Sequence, residues 1–555
     1  MLKRAIITSF AIVLIVSQLF WIATPISAQS QERKLEMIYI SDKNVKDLVS
    51  EGILNGSGTP DDPYVLENYI VYSSVLPGIW IVNVSNIVIR DVIITKFRNV
   101  TGFGRSGISI QNATNVVIES VQINYVVHGI LIGNSKNIKI KDLDFFINND
   151  VGYALQFYNC TDVMIENIRV ASGHVMLVRG DHKENYDIKV KDVYKAYGMI
   201  LFRPFKYYFD VDEVYLAPEE TQKLEERMYG GMFIAYAKKV VLDSIYLADD
   251  LLVINVDEFG AWNIRIEGAN YGIYVKNTSK VGVYCSVMNN TVYGILVDDS
   301  QSVSIKSSMI NFNSYGVYLS NADSFNISHN FINKSTVNSI YVKNSRNGSI
   351  LYNILTNVGN QAILLDDGTE NVKVAFNTIY NVGQLSEHYT FYATDNGKNN
   401  TWTSNFYGPF TPAEVYNITG SARASDTSPM LQPIPTLFLT LGINSFPSKE
   451  RTLYVMVEVA IFDENNGTIV GLGNQTVVIN GKTLTTDPTK GWIGNYLTFD
   501  DDVIVAEYNN TELIIPLPEI SVKKSILGYL GIGLVVLGVG LIAFGIYMSQ
   551  KQKRR

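Results

Sequence analysis

A chain of 555 residues that is 47% hydrophobic can bury a large core, and it exceeds the usual size of one domain unless it is built of repeats. Its net charge of −8 gives no reason to expect nucleic acid as a partner. The two cysteines, Cys160 and Cys285, support neither a disulfide framework nor a cysteine metal site, and Cys285 is expected to be a buried thiol on an inward strand position.

The first residues carry a targeting signal. Lys3 and Arg4 precede an apolar run, and Ser27-Ala28 offers a small-residue cleavage point. Residues 1–28 are therefore predicted to be a secretory signal peptide, with an uncleaved anchor as the alternative.

A solenoid is indicated by a recurring heptapeptide. Residues 271–277 (Tyr-Gly-Ile-Tyr-Val-Lys-Asn) return in similar form at 293–299 and at 315–321, a period of about 22 residues that is typical of solenoids. Alternating apolar residues in each copy indicate strands with one buried face, and Gly or Asn marks the corners. Three such runs per coil predict an all-β, right-handed parallel β-helix with three sheets.

The β-helix is predicted over residues 77–428, and the turn-rich segment 29–76 is predicted to cap its N-terminal end. Thirteen coils are expected, beginning near Gly78, Gly107, Gly129, Ala154, Gly173, Gly198, Gly231, Leu251, Gly272, Gly294, Gly316, Ser339 and Ala362. The period is broken at 203–230, where a short helix is predicted. This insertion is either a decorated loop or a substrate lid.

Asparagines recur at one corner of the coil. Stacked amides there can hydrogen-bond along the rod, so a structural ladder is predicted. Its members are Asn83, Asn112, Asn134, Asn159, Asn277, Asn321 and Asn344.

Many asparagines also stand in Asn-x-Ser/Thr sequons, which agree with an exported glycoprotein. In an Asn-rich repeat some of them arise by chance. The candidate glycosylation sites are Asn55, Asn83, Asn99, Asn112, Asn277, Asn466, Asn474 and Asn509.

The repeat ends near Pro429. Short strands with a hairpin turn at Asn480-Gly481 predict a small juxtamembrane β-sandwich over residues 429–522, acting as a stalk. Residues 526–548 form an uncharged apolar run long enough to span a bilayer. The basic residues in 549–555 are expected to be cytoplasmic, which makes the chain a single-pass cell-membrane protein with its large domain extracellular.

The residues 58–67 (Gly-Thr-Pro-Asp-Asp-Pro-Tyr-Val-Leu-Glu), the Gly-Ile-x-Ile/Val-x-Asn coils and the closing residues 400–402, 416–420 and 426–429 resemble NosD-like β-helix proteins. This resemblance covers about residues 50–435. It implies a pectin lyase-like fold with PbH1 repeats, a group of carbohydrate-binding proteins and sugar hydrolases common on archaeal cell surfaces. The resemblance to NosD itself implies a periplasmic factor that matures a copper enzyme. The Asp-Gly-rich segment usual in the family is replaced here by residues 408–414, which argues against a metal-binding function of that segment.

Enzymes of this fold that act on acidic polysaccharides cluster carboxylates that hold calcium or act as acid and base. The candidates for such a role are Asp249, Asp250, Asp257 and Arg203. No resident cofactor is expected, and calcium is the ion that such a groove would hold.

Aromatic residues give the stronger binding signal, because sugars stack their CH faces on exposed rings. The rings share two outward positions of the first strand of their coils: Trp80, Tyr274, Tyr318 and Tyr341 in one, and Tyr271, Tyr293 and Tyr315 in the other. Strand aromatics that stack for stability alone are the competing interpretation.

Two function classes follow from the sequence. The favoured one is a membrane-anchored surface protein that binds glycans or other cell-envelope components without turnover. The other is a polysaccharide lyase, a glycoside hydrolase or an envelope-maturation factor that uses the same rod. Converging carboxylates and bases would favour the second class, and an exposed aromatic stripe would favour the first.

Overall fold

The computed structural model describes residues 33–72, 77–95, 106–126, 128–147, 153–170, 174–179, 187–195, 231–383, 392–408, 414–441, 452–463, 465, 468–498 and 503–517. The predicted signal peptide, transmembrane helix, cytoplasmic tail and insertion at 203–230 lie outside these ranges, as do Asn99, Arg203 and Asn466. Within the described ranges, no helix is long and apolar enough to cross a membrane.

One wall of the molecule is a parallel sheet that we call the front sheet. Each coil contributes one strand, and neighbouring strands pair in register. Its 14 strands are β2 (Ile38–Ser41), β4 (Ile79–Val82), β6 (Ser106–Gln111), β8 (His128–Gly133), β10 (Tyr153–Tyr158), β12 (His174–Arg179), β14 (Met232–Ala235), β16 (Leu251–Ile254), β19 (Tyr271–Lys276), β22 (Tyr293–Asp298), β25 (Tyr315–Ser320), β28 (Asn338–Lys343), β31 (Ile363–Leu365) and β34 (Ala393–Asp395).

The rest of each coil belongs to a bent 24-stranded sheet that we call the back sheet. Its strands are β1 (Arg33–Leu35), β3 (Tyr64–Tyr72), β5 (Ile87–Thr95), β7 (Thr114–Val126), β9 (Lys136–Ile147), β11 (Thr161–Val170), β13 (Asp187–Lys195), β15 (Lys239–Leu247), β17 (Glu258–Trp262), β18 (Arg265–Glu267), β20 (Lys280–Tyr284), β21 (Val287–Asn289), β23 (Gln301–Lys306), β24 (Met309–Asn311), β26 (Asp323–Ser328), β27 (Phe331–Asn333), β29 (Arg346–Leu351), β30 (Ile354–Val358), β32 (Glu370–Ala375), β33 (Thr378–Val382), β35 (Thr401–Thr403), β36 (Phe406–Tyr407), β37 (Tyr416–Asn417) and β38 (Ser425–Asp426).

A bend divides the back sheet into two halves, so each coil has three sides. In the early coils one long strand carries the bend at a residue in the left-handed region, such as Asp91 (φ 52°) or Asp142 (φ 55°). In the later coils the strand is interrupted there, as at Cys285 between β20 and β21. The fold is therefore an all-β, right-handed parallel β-solenoid, and branched apolar side chains alternate inward to form one continuous core.

Eleven of the thirteen expected coil starts lie at the starts of front-sheet strands, and the other two, Gly173 and Gly198, lie outside the described residues. The strand β12 pairs directly with β14, with Met176 opposite Met232, so no rung lies between them. The front sheet also gains a strand at each end, β2 and β34. The segment expected only to cap the rod therefore builds part of it, together with the one helix of the described residues, α1 (Val45–Ser50).

Buried amides form an internal spine beside the bend. Its members are Asn330, Asn353, Asn377 and Asn405, each fully buried. The side-chain oxygen of each later residue accepts hydrogen bonds from the backbone N–H and side-chain Nδ2 of the preceding one, at 2.9–3.0 Å. Asp426 ends the series, because its carboxylate accepts both donors of Asn405 and the hydroxyl of Tyr407.

The chain after the solenoid forms two four-stranded antiparallel sheets. One contains β39 (Thr436–Leu441), β40 (Thr452–Asp463), β41 (Thr468–Gly471) and β44 (Trp492–Thr498), and the other contains β42 (Thr476–Ile479), β43 (Lys482–Thr485), β45 (Val503–Tyr508) and β46 (Thr511–Pro516). The hairpin expected at Asn480-Gly481 is present between β42 and β43.

These C-terminal sheets pack against the back sheet. The backbone N–H and carbonyl of Leu439 both bond the hydroxyl of Ser307, at 2.6 and 2.9 Å. The Nδ1 of His329 lies 3.0 Å from the carbonyl oxygen of Leu437, and the rings of Tyr380 and Phe462 are 4.6 Å apart.

Cys285 also lies in this contact. It sits at the bend with a left-handed backbone and packs with Trp262, Tyr284 and residues of the C-terminal sheets. The expected inward position in the solenoid core was therefore wrong, although the thiol is buried.

We predict that Asn353→Ala lowers the free energy of unfolding by about 2–5 kcal/mol, because two buried donors of Asn330 lose their acceptor. Chemical unfolding followed by circular dichroism measures this. Asn326→Ala is the matched control, since Asn326 lies on the outward face and is half-buried, and its expected cost is below about 1 kcal/mol. Equal losses in the two variants would contradict a special role for the spine.

We further predict that stability falls as the pH drops from 6.5 to 4. Burial is the main cause that lowers the pKa of His329 from 6.5 to about 4, so folding favours the neutral ring. That stability is complete above pH 6.5 and is lost as the pH falls through 4. His329→Phe should remove up to about 3 kcal/mol of this pH dependence. An unchanged pH profile in the variant would show that the imidazole is not buried as described.

Candidate functional site on the front sheet

Register brings six tyrosines together on the outward face of the front sheet. Tyr271, Tyr293 and Tyr315 lie opposite one another in consecutive strands, because the coils repeat at 22 residues and pair in parallel. The glycine after each tyrosine is required by the tight stacking. A Cβ atom at Gly272 would come within 2.2 Å of the carbonyl oxygen of Gly294.

The three tyrosines of this row stack on each other. The ring centroids of Tyr271 and Tyr293 are 5.5 Å apart, and those of Tyr293 and Tyr315 are 5.1 Å apart, with planes within 12°. Tyr274 stacks on the outer side of Tyr271, and Tyr341 on the outer side of Tyr315. Each of the three rings thus has a neighbour on both faces, so the row presents ring edges and hydroxyls to a ligand instead of flat faces.

Tyr318 is oriented differently. Its ring stands at 84° to both Tyr293 and Tyr315, and at 73° to Tyr341, whose centroid is 4.7 Å away. Tyr341 is fixed by a 2.5 Å hydrogen bond from its hydroxyl to Oδ2 of Asp366. Tyr318 and Tyr341 are half-buried, so they retain surface that a ligand can contact.

Tyr274 is less accessible than the sequence implied. It is 9% exposed and packs with Phe233, Leu252 and Ile254 in a small cluster outside the solenoid core. Its direct contact with a ligand is therefore disfavoured, and we assign it a supporting position under Tyr271.

Tyr271, Tyr293 and Tyr315 form one row along the sheet, and Tyr318 and Tyr341 belong to a second. Charged and polar residues form a third row beside them. Lys276, Asp298, Ser320 and Lys343 lie opposite one another in consecutive strands, and Nζ of Lys276 is 3.9 Å from Oδ2 of Asp298. Burial raises the pKa of Tyr341, and the hydrogen bond to Asp366 raises it further. Burial and the neighbouring phenols of Tyr293 and Tyr315 raise the pKa of Tyr318. Both phenols therefore stay protonated near neutral pH: the hydroxyl of Tyr341 donates to Asp366 and can still accept a hydrogen bond from a ligand, whereas that of Tyr318 can also donate one.

Trp80 does not join this group. It lies in β4, seven strand spacings from β19, which is about 34 Å. Its ring packs edge-on against Tyr39, 5.2 Å away. Trp80 and Tyr39 form a separate aromatic pair near the N-terminal end, and the sequence reasoning missed Tyr39.

The acidic candidates do not form a catalytic pair. Asp250 is 6% exposed, and its Oδ1 accepts hydrogen bonds from the backbone N–H groups of Asn270 and Tyr271, which gives it a structural role at the corner. Asp257 is exposed beyond the other end of β16, so this strand, about 13 Å long by the strand rise, lies between it and Asp250. Asp249 is half-buried beside Asp250. Across the described residues, no three His, Cys, Asp or Glu side chains converge to hold a metal ion.

All seven corner asparagines have left-handed backbones, with φ between 46° and 55°. The side-chain Nδ2 of Asn112 donates to Asn83, and that of Asn159 donates to Asn134. Asn277 and Asn321 donate to Asn255 and Asp299, two further members of the row. Asn is favoured there because it tolerates this conformation, so these residues belong to the scaffold. The described sequon residues Asn55, Asn83, Asn112, Asn277, Asn474 and Asn509 are exposed.

One exposed aromatic escaped the sequence analysis. Phe312 is 51% exposed in a left-handed backbone conformation, three residues before Tyr315, and Nζ of Lys334 lies 4.4 Å from its ring centroid. Met309 in the same coil and Val292 in the preceding coil are also exposed. The sequence signal that could have identified Phe312 is its position at a corner that is normally held by Asn or Gly.

Comparisons with known proteins agree with the architecture. Residues 253–412 match the family model described as a right handed beta helix region. Solved structures that align with the chain include the mannuronan C-5 epimerase A-module of Azotobacter vinelandii (12% identity, 63% of this chain and 89% of that chain, TM-score 0.29). The surface protein and adhesin PfbA of Streptococcus pneumoniae aligns at 13% identity over 61% of this chain and 90% of that chain, with a TM-score of 0.27.

A third alignment is with tailspike protein 3 of bacteriophage CBA120, at 10% identity over 73% of this chain and 60% of that chain, with a TM-score of 0.26. No curated protein matches the chain by sequence. Alignments this loose do not carry over the activity of any of these proteins.

Proposed function

We propose that this chain is an extracellular β-helix protein, anchored in the cell membrane, whose front sheet binds a glycan or another cell-envelope component without turnover. The observation that carries the proposal is the pair Tyr318 and Tyr341. One ring is turned out of the tyrosine stack, and the other is fixed to a carboxylate beside it. Rows of hydroxyl, carboxylate and ammonium groups flank these two rings.

Such a surface suits a polar chain molecule. A sugar offers CH groups to the ring of Tyr318 and hydroxyls to the phenols and to Asp298. Lys276 and Lys343 add positive charge for acidic sugars. The three rows follow the solenoid axis, so a sugar chain laid along them would meet a new set of row residues about every 4.8 Å.

The cellular setting rests on the sequence. The signal peptide at 1–28, the membrane span at 526–548 and the basic tail are the basis for membrane anchoring, and the sequons are the basis for a glycoprotein. In this proposal the two C-terminal sheets form a juxtamembrane β-sandwich. The NosD-like, archaeal character rests on the sequence motifs. No described residue adds support for a lyase, a hydrolase or a maturation factor.

We predict that the ectodomain, residues 29–522, is retained on at least one member of a glycan and acidic-polysaccharide array, tested with and without calcium. The double variant Tyr318→Ala and Tyr341→Ala should lower the retained affinity at least tenfold, because about 1.4 kcal/mol of ring and hydroxyl contacts is removed. Trp80→Ala is the matched control on the same sheet, and it should bind as the native chain does.

Release of shortened chains in the same assay would overturn the non-catalytic reading. Retention that is lost equally with Trp80→Ala would place the site elsewhere on the rod. Absence of retention on every glycan would contradict glycan binding and leave a protein of the envelope as the partner.

A further inference from the structure

The last described strand ends against the middle of the solenoid. The indole Nε1 of Trp262 donates a 2.6 Å hydrogen bond to the carbonyl oxygen of Pro516, the final residue of β46. The Nζ of Lys306 donates to the carbonyl oxygen of Ile514, two residues earlier, at 3.1 Å. The chain therefore leaves the described structure at Leu517, beside Trp262.

The solenoid presents a shaped platform for this contact. The ring of Trp262 lies over Gly260, where a Cβ atom would come within 2.3 Å of it, and the ring of Tyr284 lies over Gly282 in the same way. The two rings are 5.4 Å apart, and they are 6% and 7% exposed. Two glycines in consecutive coils thus allow both aromatics to lie flat under the C-terminal sheets, which indicates a fixed attachment.

The point at which the chain leaves this contact lies near the midpoint of the rod, although the C-terminal sheets also extend toward its C-terminal end, where Phe462 packs on Tyr380. Along the back sheet, eight strand spacings separate β17, which carries Trp262, from β1, and seven separate it from β38. At about 4.8 Å per strand, the two ends are about 38 Å and about 34 Å away.

The attachment also lies on the side away from the front sheet. The solenoid residues that bond the C-terminal sheets lie on the back sheet and at its bend, as Trp262, Ser307 and His329 do. That bend is the one corner of the three-sided coil that the front sheet does not reach. The tyrosine face of β19 to β28 occupies the same coils on their other side.

A short connection then leads to the predicted membrane span. Eight residues lie between Leu517 and Ile526, and these nine Cα-to-Cα steps reach at most about 32 Å when fully extended. This distance is no longer than half of the rod, so the rod cannot be carried far from the bilayer.

We propose that the solenoid is held at mid-length with its back sheet toward the bilayer and its tyrosine face directed outward. This inference rests on the membrane anchor in the proposed function. It defines the partner more narrowly: the front sheet meets a polysaccharide of the outer envelope layer, and lipid headgroups of its own membrane are out of its reach. The C-terminal sheets, which the sequence analysis predicted to be a stalk, are in this arrangement attached to the middle of the solenoid.

The test uses the full chain in lipid vesicles that carry a headgroup acceptor dye, with a donor dye on one introduced cysteine at a time. Lys46→Cys and Ser421→Cys mark the two ends, Lys343→Cys marks the front sheet, and Glu507→Cys marks the C-terminal sheets. All four positions are exposed, whereas the native Cys160 and Cys285 are buried.

We expect energy transfer from Lys46→Cys and Ser421→Cys to agree within about twofold, and transfer from Glu507→Cys to exceed that from Lys343→Cys. An upright rod would separate the ends by about 70 Å and leave one end without transfer, which would overturn the arrangement. Greater transfer from Lys343→Cys than from Glu507→Cys would overturn it as well. Failure of the chain to float with the vesicles would instead refute the membrane anchor, so the two failures are distinguishable.

Discussion

The whole structure depends on one constraint, which is that every coil pairs in register with the next. Over the last coils, from Asn330 to Asn405, the buried amide spine enforces this register. Asn353 and Asn377 each satisfy donors of the coil before them, so a shift by one residue would leave several buried donors without acceptors. Register in turn stacks equivalent residues along the rod. The tyrosine face, the charged row beside it and the corner asparagines are consequences of that stacking.

The C-terminal sheets divide the surface of the rod between two tasks. They cover the bend of the back sheet, where Cys285 and His329 would otherwise expose a thiol and an imidazole in left-handed backbone positions. Within the part of the chain that the structure describes, Tyr318 and Tyr341 of the front sheet have no such cover and remain half-buried. In the proposed function, one side of the solenoid thus serves attachment and the other serves recognition. This division is stronger evidence for a binding role than the number of aromatic residues.

Local signals in the sequence predicted most of the solenoid, because its rules are local. Gly272 and Gly294 mark strand starts where no Cβ fits, and Asn277 marks a corner that needs a left-handed residue. Local signals could not predict contacts between residues that are distant in the sequence. Gly260 and Gly282 look like ordinary strand positions until the rings of Trp262 and Tyr284 are seen to cover them. The stacking of Tyr293 between two other rings likewise depends on side-chain orientation, which periodicity does not encode.

The most direct test of this account is hydroxyl-radical footprinting of the aromatic residues in the ectodomain, alone and with a retained polysaccharide. The account predicts slow labelling of Trp262 and Tyr284 under both conditions, fast labelling of Phe312, and intermediate labelling of Tyr318 that slows when the polysaccharide binds. Labelling of Trp262 as fast as that of Phe312 would show that the C-terminal sheets do not cover the back sheet. Protection of Trp80 in place of Tyr318 would contradict the assignment of the binding face.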